Sequence, residues 1–373
     1  MDIAEIKKHI ATYTPAMSSA ERAKAYASGE EVDHIPFGLL GSNEAFAIMY
    51  GFTMAQWRED VHAVIEVLER RHEEYGNTGL GVGLSLRTVG NALGAKLVYP
   101  EMGFDRMVQP ALESTAELSR IIDNDPFTNP VYLSLLERAH ALKDAFPEWG
   151  IGTSVAGPFT VAANIVPIEQ LLKDSRRKPE VVREILDLAV YHSISWAQMF
   201  AKEFGNAPST IADPVSCADI LSVKQYRELS RPAQEKLIAG LTETLGSKPG
   251  MHICGKTSPL WPEMHDLPIA FFSVDNCEDL GNAREHMGSL YRLVGNVAPV
   301  DVMLNGTVDD VIDACVESLR KGAESPCGYE LNTGCQVPIG TPRENMEAFM
   351  YAAHVFGAGA QKGKLPRGLD RQE

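Results

Sequence analysis

PEVVREILDLAVYHSISWAQMFAKEFGNAPSTIADP, residues 179–214, decides the fold. Pro179 stands where a first helical turn tolerates it. Ile185, Leu188, Ala189, His192 and Trp196 then recur at helical spacing, and Gly205 ends the run. A short apolar strand at 210–212 follows and runs directly into Asp213-Pro214. A long helix leading to a brief strand that stops on a polar residue is one parallel α/β unit.

The same unit recurs on both sides of this stretch. Strands are expected at 79–86, 96–99, 150–155, 210–212, 250–253, 270–274, 291–294 and 328–331. Asn129-Pro130 opens one intervening helix, and Thr307 with Asp310 opens another that stops at Gly322. Residues 2–28 and 54–75 are charged and periodic, so they are expected to be helical, and the connecting DHIPFGLLG (33–41) reads as a loop broken by Pro36 and two glycines. Eight alternations predict an α/β fold, a closed (β/α)8 TIM barrel with an N-terminal helical extension. An open dinucleotide-binding sheet would show a glycine-rich first turn with an acidic residue about 20 positions on, a pattern missing from this chain. No repeat or linker interrupts the chain, so residues 1–373 are read as a single domain, with 1–78 as the extension and 79–360 as the barrel.

Composition narrows the function. The chain of 373 residues carries 34 Lys+Arg against 50 Asp+Glu, a formal charge of −16. Tight binding to polyphosphate needs clustered cations, so nucleic acid and anionic membrane surfaces are poor partners for such a chain. Hydrophobic residues make up 45%, as in a folded globule. No run of about 18 apolar residues could span a bilayer, and the opening MDIAEIKKHI lacks the pattern of a secretory signal. A cytoplasmic protein is expected. Its six cysteines (217, 254, 277, 315, 327 and 335) are too sparse for a disulfide scaffold and read as free thiols, core fillers or metal ligands.

The chemically suggestive residues gather at the expected strand ends, where barrel enzymes build their sites. Gly157, Asp213, His252 with Cys254, Asp275, Asn296 and Cys335 all fall there. His252 and Cys254 are two apart on or beside a strand and share a side, and Cys335 comes from the last strand. Three nitrogen and sulfur ligands with one position open is the pattern of a catalytic zinc; a structural zinc commits four. The competing reading is a hydrogen-bonded core histidine beside small buried thiols. Asp275 reads as a displaceable oxygen ligand or a substrate contact, or equally as a helix cap, and Asp213 as a group orienting a ligand or a cap. Cys217 and Cys277 lie near the same rim and could compete as ligands, but they read better as spare buried thiols. Cys315 and His192 lie on apolar helical stripes and read as core, and the run from Lys173 to Lys178 reads as a solvated face.

These residues carry a resemblance. Glu21-Arg22, Asp33-His-Ile-Pro36, Ala92-Leu-Gly-Ala95, Gly157-Pro-Phe-Thr160, Asp213-Pro214, Met251-His-Ile-Cys-Gly255, Ser273-Val-Asp275, Gly295-Asn296 and Gly334-Cys-Gln-Val-Pro338 resemble the uroporphyrinogen decarboxylase superfamily. The likeness is to its corrinoid-dependent methyltransferase branch. It implies a zinc held by His252, Cys254 and Cys335, with Asp275 at the reacting centre. It also implies a methylated corrinoid (methylcobalamin-type) brought by a separate protein, and a thiol such as coenzyme M, or tetrahydrofolate, as methyl acceptor. Asp213, Asn296 and Gly157 would then lie on the corrinoid side of the rim. The alternatives are porphyrinogen decarboxylation and a non-catalytic corrinoid or small-molecule carrier. Against decarboxylation, the stretches PFGLLGSNEAF and GVGLSLRTVG lack the arginine cluster and the aspartate that hold a porphyrinogen in that branch.

Overall fold

The computed structural model describes residues 2–76 and 79–372. The boundary expected at residue 78 falls on residues 77 and 78, outside the described residues. Seven parallel strands form the main sheet: β1 (Gly79–Gly81), β2 (Gly150–Ala156), β3 (Ser209–Ala212), β4 (Gly250–His252), β5 (Phe271–Ser273), β6 (Arg292–Val297) and β7 (Tyr329–Thr333). Their hydrogen-bonding order, β7-β6-β5-β4-β3-β2-β1, is the chain order run backwards. That is the succession a parallel α/β barrel requires, and the fold is TIM-barrel-like. Among the described residues no helix is long and apolar enough to cross a membrane.

The chain divides into two compact units, the larger continuous part of one being residues 78–270 and of the other 271–373. In the first, Val155 pairs with Ile211 and Ile211 with Met251, so one row of apolar side chains runs across β2 to β4, and Leu80 pairs with Ile151 nearer the start of β2. The helices between these strands begin as their sequences dictate. Asn129 caps Pro130–Ala145 by accepting the Val131 N–H at 3.0 Å, and Pro179–Phe204 runs for 26 residues before Gly205 stops it at φ 74°. The buried face of that long helix carries Trp196, whose indole N–H donates to Thr153 Oγ1 at 2.8 Å. His192 lies on the same face, fully buried, with Nδ1 3.0 Å from the Tyr132 hydroxyl, and burial lowers its pKa to about 4. It is a packed core histidine.

In the second unit Leu293 of β6 pairs with both Phe272 and Tyr329. Thr307 and Asp310 form a reciprocal capping box at the start of Val308–Gly322, whose buried face includes Val311, Ile312, Cys315 and Leu319. Ser18 and Glu21 do the same for Ser19–Ala27. Arg22, inside that helix, reaches Asp33 through two hydrogen bonds of 2.6 and 2.9 Å. Burial works against the Asp33 charge, but the guanidinium outweighs it and holds the carboxyl at about 2. The Glu21-Arg22 and Asp33-His-Ile-Pro36 motifs thus act as a clamp on the N-terminal segment.

Two expectations need correction. The stretch at 96–99 is no barrel strand: Lys96–Val98 pairs antiparallel with Arg106–Gln109 in a separate hairpin. The eighth parallel position is found instead in the segment read as a loop. Phe37 bridges Leu331 in parallel, the Leu331 N–H donates to the Pro36 carbonyl at 3.0 Å, and the Gly38 N–H donates to the Leu331 carbonyl at 3.0 Å. Pro36 gives up a donor yet keeps its acceptor, so a proline-marked segment can still line a strand edge. Just before it, Val32–His34 pairs antiparallel with Ala358–Ala360.

Candidate metal centre

At the end of β4 the chain places His252 on the strand and Cys254 two residues on, with Nε2 and Sγ 2.9 Å apart. Beside them, β3 ends on Asp213, which is fully buried, and the Asp213 N–H donates to the His252 carbonyl at 2.9 Å. Four donors enclose its carboxylate: Thr160 N–H (2.9 Å) and Thr160 Oγ1 (2.7 Å) on Oδ1, and Ser216 Oγ (2.7 Å) and Gln234 Nε2 (2.9 Å) on Oδ2. Gln234 is in turn held by the Tyr226 hydroxyl, 2.8 Å from its Oε1. Gly157 makes room for this packing, because a Cβ there would fall 2.1 Å from Asp213 Cγ. Asp213 makes no side-chain cap on the short turn that it precedes, but it meets the first-turn Thr160 N–H of the helix Pro158–Ile165, and it is the hub that joins the ends of β2, β3 and β4.

The ends of β5, β6 and β7 carry the other sulfur and the oxygen. Asp275 is buried, and its Oδ1 accepts the Cys277 N–H at 2.9 Å, a local turn rather than a helix cap. Asn296 supports that turn from β6: its Nδ2 donates to the carbonyls of Asp275 (3.1 Å) and Glu278 (2.8 Å). Cys335 follows Gly334, whose missing side chain lets β7 approach the same turn, since a Cβ there would lie 2.4 Å from the Asn276 nitrogen. The Gly334 N–H donates to the Val297 carbonyl at 2.8 Å, and Thr333 Oγ1 donates to the Cys335 carbonyl at 2.8 Å.

One ligand atom from each of His252, Cys254, Asp275 and Cys335 lies within 4.8 Å of all the others. Ligands bound tetrahedrally at about 2.0–2.3 Å from one ion stand roughly 3.3–3.8 Å apart. The four groups are thus at a separation that small side-chain adjustments bring to bonding distance. An imidazole nitrogen, two sulfurs and one carboxylate oxygen form a donor set suited to a borderline-soft divalent ion. This is a candidate metal-binding group.

The other sequence candidates are not members of this group. Cys217 is buried, and burial raises its thiol pKa. Cys277 is exposed, not buried as expected, because it lies in the surface turn after β5, and Cys315 is fully buried with its pKa pushed up by that burial. Sequence reasoning missed Thr160, Ser216 and Gln234 as partners of Asp213: Thr160 stands in the Gly157–Thr160 motif but 53 positions away, Gln234 lies 21 positions on inside a helix, and a serine three positions on carries no signal by itself.

Comparison with known proteins agrees with this architecture. The chain is similar to a methylated-thiol–coenzyme M methyltransferase of Methanosarcina mazei, 28% identical over 198 residues, 53% of this chain and 51% of the relative. It is similar also to the methylcobamide:CoM methyltransferase MtaA of Methanosarcina barkeri, 28% identical over 215 residues, 57% of this chain and 60% of the relative. The chain thus spans between half and three fifths of the length of these curated relatives. A solved methyltransferase from Methanosarcina mazei superposes on it with a TM-score of 0.76, covering 92% of this chain and 100% of the other at 24% identity, and so shares its fold. The uroporphyrinogen decarboxylase (URO-D) family model matches residues 18–356, and the chain belongs to that family.

Proposed function

We propose that this protein is a metal-dependent methyltransferase that moves a methyl group from a methylated corrinoid, presented by a separate protein, to a thiol such as coenzyme M. The observation that carries the proposal is the meeting of His252, Cys254, Asp275 and Cys335 within 4.8 Å. The relatives' names, methylcobamide:CoM and methylated-thiol–coenzyme M methyltransferase, supply the substrate classes. His252, Cys254 and Cys335 would hold a zinc ion, and Asp275 would be the ligand that yields its place to the acceptor. When bound, the ion supplies positive charge that lets a thiol lose its proton near neutral pH.

The chain's own groups do the rest. Two thiolates balance the charge of a divalent ion (2 − 2 = 0), so an incoming thiolate meets little excess charge and stays nucleophilic. The Asp275 carboxylate would take the thiol proton, so that the thiolate formed would leave the local charge unchanged. Asn296, gripping the backbone on both sides of that turn, holds Asp275 in place as it exchanges. Asp213 and Gly157, enclosed as they are, act by fixing the His252 strand rather than by touching the corrinoid. Tetrahydrofolate is the alternative acceptor within this reading, and we read the chain as one barrel domain whose eighth strand position is the segment around Phe37 rather than a strand inside 79–360.

Purified chain loaded with zinc, mixed with methylcobalamin and coenzyme M, should give methylated coenzyme M and cob(I)alamin. Absence of both products from zinc-loaded protein contradicts the proposal. Release of CO2 from uroporphyrinogen by metal-free protein would establish decarboxylation instead.

A further inference from the structure

The turn that carries Cys335 is held by residues remote from it in the chain. Leu40 and Gly41, just past the Phe37 bridge at the eighth barrel position, reach this turn on both sides of the cysteine. Before it, the Leu40 N–H is shared between Asn332 Oδ1 at 2.9 Å and Thr333 Oγ1 at 3.2 Å. After it, the Leu40 carbonyl accepts the Val337 N–H at 2.9 Å, and the Gly41 carbonyl accepts from Gln336 Nε2 at 3.2 Å. Two neighbouring residues thus clasp segment 332–337 at both ends. Glycine permits so close an approach: a Cβ on Gly41, where φ is 56°, would fall 2.7 Å from Gln336 Cγ.

Within the clasp Thr333 does two things at once. It is fully buried, and the hydroxyl that accepts from Leu40 gives its own proton to the Cys335 carbonyl at 2.8 Å. A hydroxyl has one proton to donate and lone pairs to receive, so this single group ties the 37–41 segment to the peptide of the cysteine. Thr153 offers a comparison. It too is a buried threonine of a barrel strand, and its Oγ1 accepts from the Trp196 indole, but that bond joins a strand to a helix and meets none of the four grouped residues.

We propose that Thr333 is a positioning residue for the metal site: its hydroxyl fixes the Cys335 backbone against the Leu40–Gly41 clasp, so that this ligand keeps its place while Asp275 exchanges. The proposal rests on the metal-dependent methyl-transfer reading above. Groups that orient a metal ligand matter to affinity even though they never touch the ion, because a ligand free to swing must be ordered again each time it binds.

Zinc affinity, read by competition with a chelator, is compared in the full chain and its Thr333→Val, Thr333→Ser and Thr153→Val variants. Valine keeps the shape of threonine without the hydroxyl, and serine keeps the hydroxyl. Thr333→Val should bind zinc about 10- to 100-fold more weakly, and its cobalt(II)-loaded form should lose part of the thiolate-to-metal charge-transfer absorption. Thr333→Ser should match the unaltered chain in both readouts. Thr153→Val also gives up a buried hydrogen bond, yet it should keep full zinc affinity. Undiminished affinity in Thr333→Val overturns the proposal. An equal loss in Thr333→Ser overturns it by placing the effect in packing, and an equal loss in Thr153→Val does so by reducing Thr333 to general stability. Should Thr333→Val not fold, Gly41→Ala strains the clasp from its other end: weakened zinc binding there supports the proposal, and unchanged binding overturns it. Chelator competition needs no methyl donor, so a chain that shows the Thr333 effect but transfers no methyl group refutes the proposed activity and leaves this role standing. An unaltered chain that retains no zinc refutes both.

Discussion

Asp213 and Asp275 occupy matching places, each just past the end of a parallel strand, yet the structure gives them opposite surroundings. Asp213 is enclosed by four donors from Thr160, Ser216 and Gln234. Asp275 accepts the Cys277 N–H and stands with two sulfurs and an imidazole within 4.8 Å. A carboxylate whose lone pairs are met by its own fold stabilises that fold; one grouped with soft ligands belongs to chemistry. Under the proposed function, the contrast separates the part of the rim that holds shape from the part that would exchange ligands.

The largest expected effect tests the exchanging side. Cys335→Ala or Cys254→Ala should lower methyl transfer by at least about a thousandfold and drop bound zinc from one per chain towards zero, because two remaining strong ligands cannot hold the ion. Full activity with full metal content would erase the distinction. Next comes Asp213→Ala, which strands four buried donors and should reduce stability by roughly 3–5 kcal/mol in denaturant titration. Zinc per folded molecule should stay near one. Loss of metal without loss of stability would reverse the two roles. Asp275→Asn should leave stability nearly unchanged and weaken zinc binding about 10- to 100-fold, read by competition with a chelator.

The smallest effect lies away from both carboxylates. His34 is buried with its pKa lowered to about 4, and His354 is lowered to about 2, in each case by burial first. Their rings pack 4.9 Å apart, with His354 stacked on Tyr13 at 3.9 Å. Both favour the neutral imidazole in the folded state, so the unfolded chain binds more protons below its ordinary pKa of 6.5. Stability should be complete above pH 6.5 and fall as pH drops from there through about 4, by at most about 1.4 kcal/mol per pH unit for each histidine. Denaturant midpoints measured across this range should slope less in His354→Phe. An unchanged slope would place the acid response elsewhere.

Much of this was legible in the sequence, and the gaps have physical causes. Helices opened by Pro130 and Pro179 and boxed by Thr307 and Asp310 appear where expected, because caps are local signals. The strand position around Phe37 was hidden, since a proline reads as a break even when only its carbonyl is needed. The hairpin strand Lys96–Val98 was mistaken for a barrel strand because a short apolar run carries no mark of its partner. His252 and Cys254 could be paired by their spacing. Asp213 and Asp275 could not be told apart, because Thr160 and Gln234 around the one, and His252, Cys254 and Cys335 around the other, are remote in sequence. The run of cations at Lys173, Arg176 and Arg177 was visible, but the cavity they line was not.

Zinc-edge absorption spectroscopy on the zinc-loaded protein, before and after addition of coenzyme M, tests the central claim most directly. The account predicts two sulfur and two nitrogen or oxygen neighbours at first, changing to three sulfurs and one nitrogen when the thiol takes the place of Asp275. A first shell unchanged by the thiol, or protein that cannot retain zinc through these four residues, would contradict it.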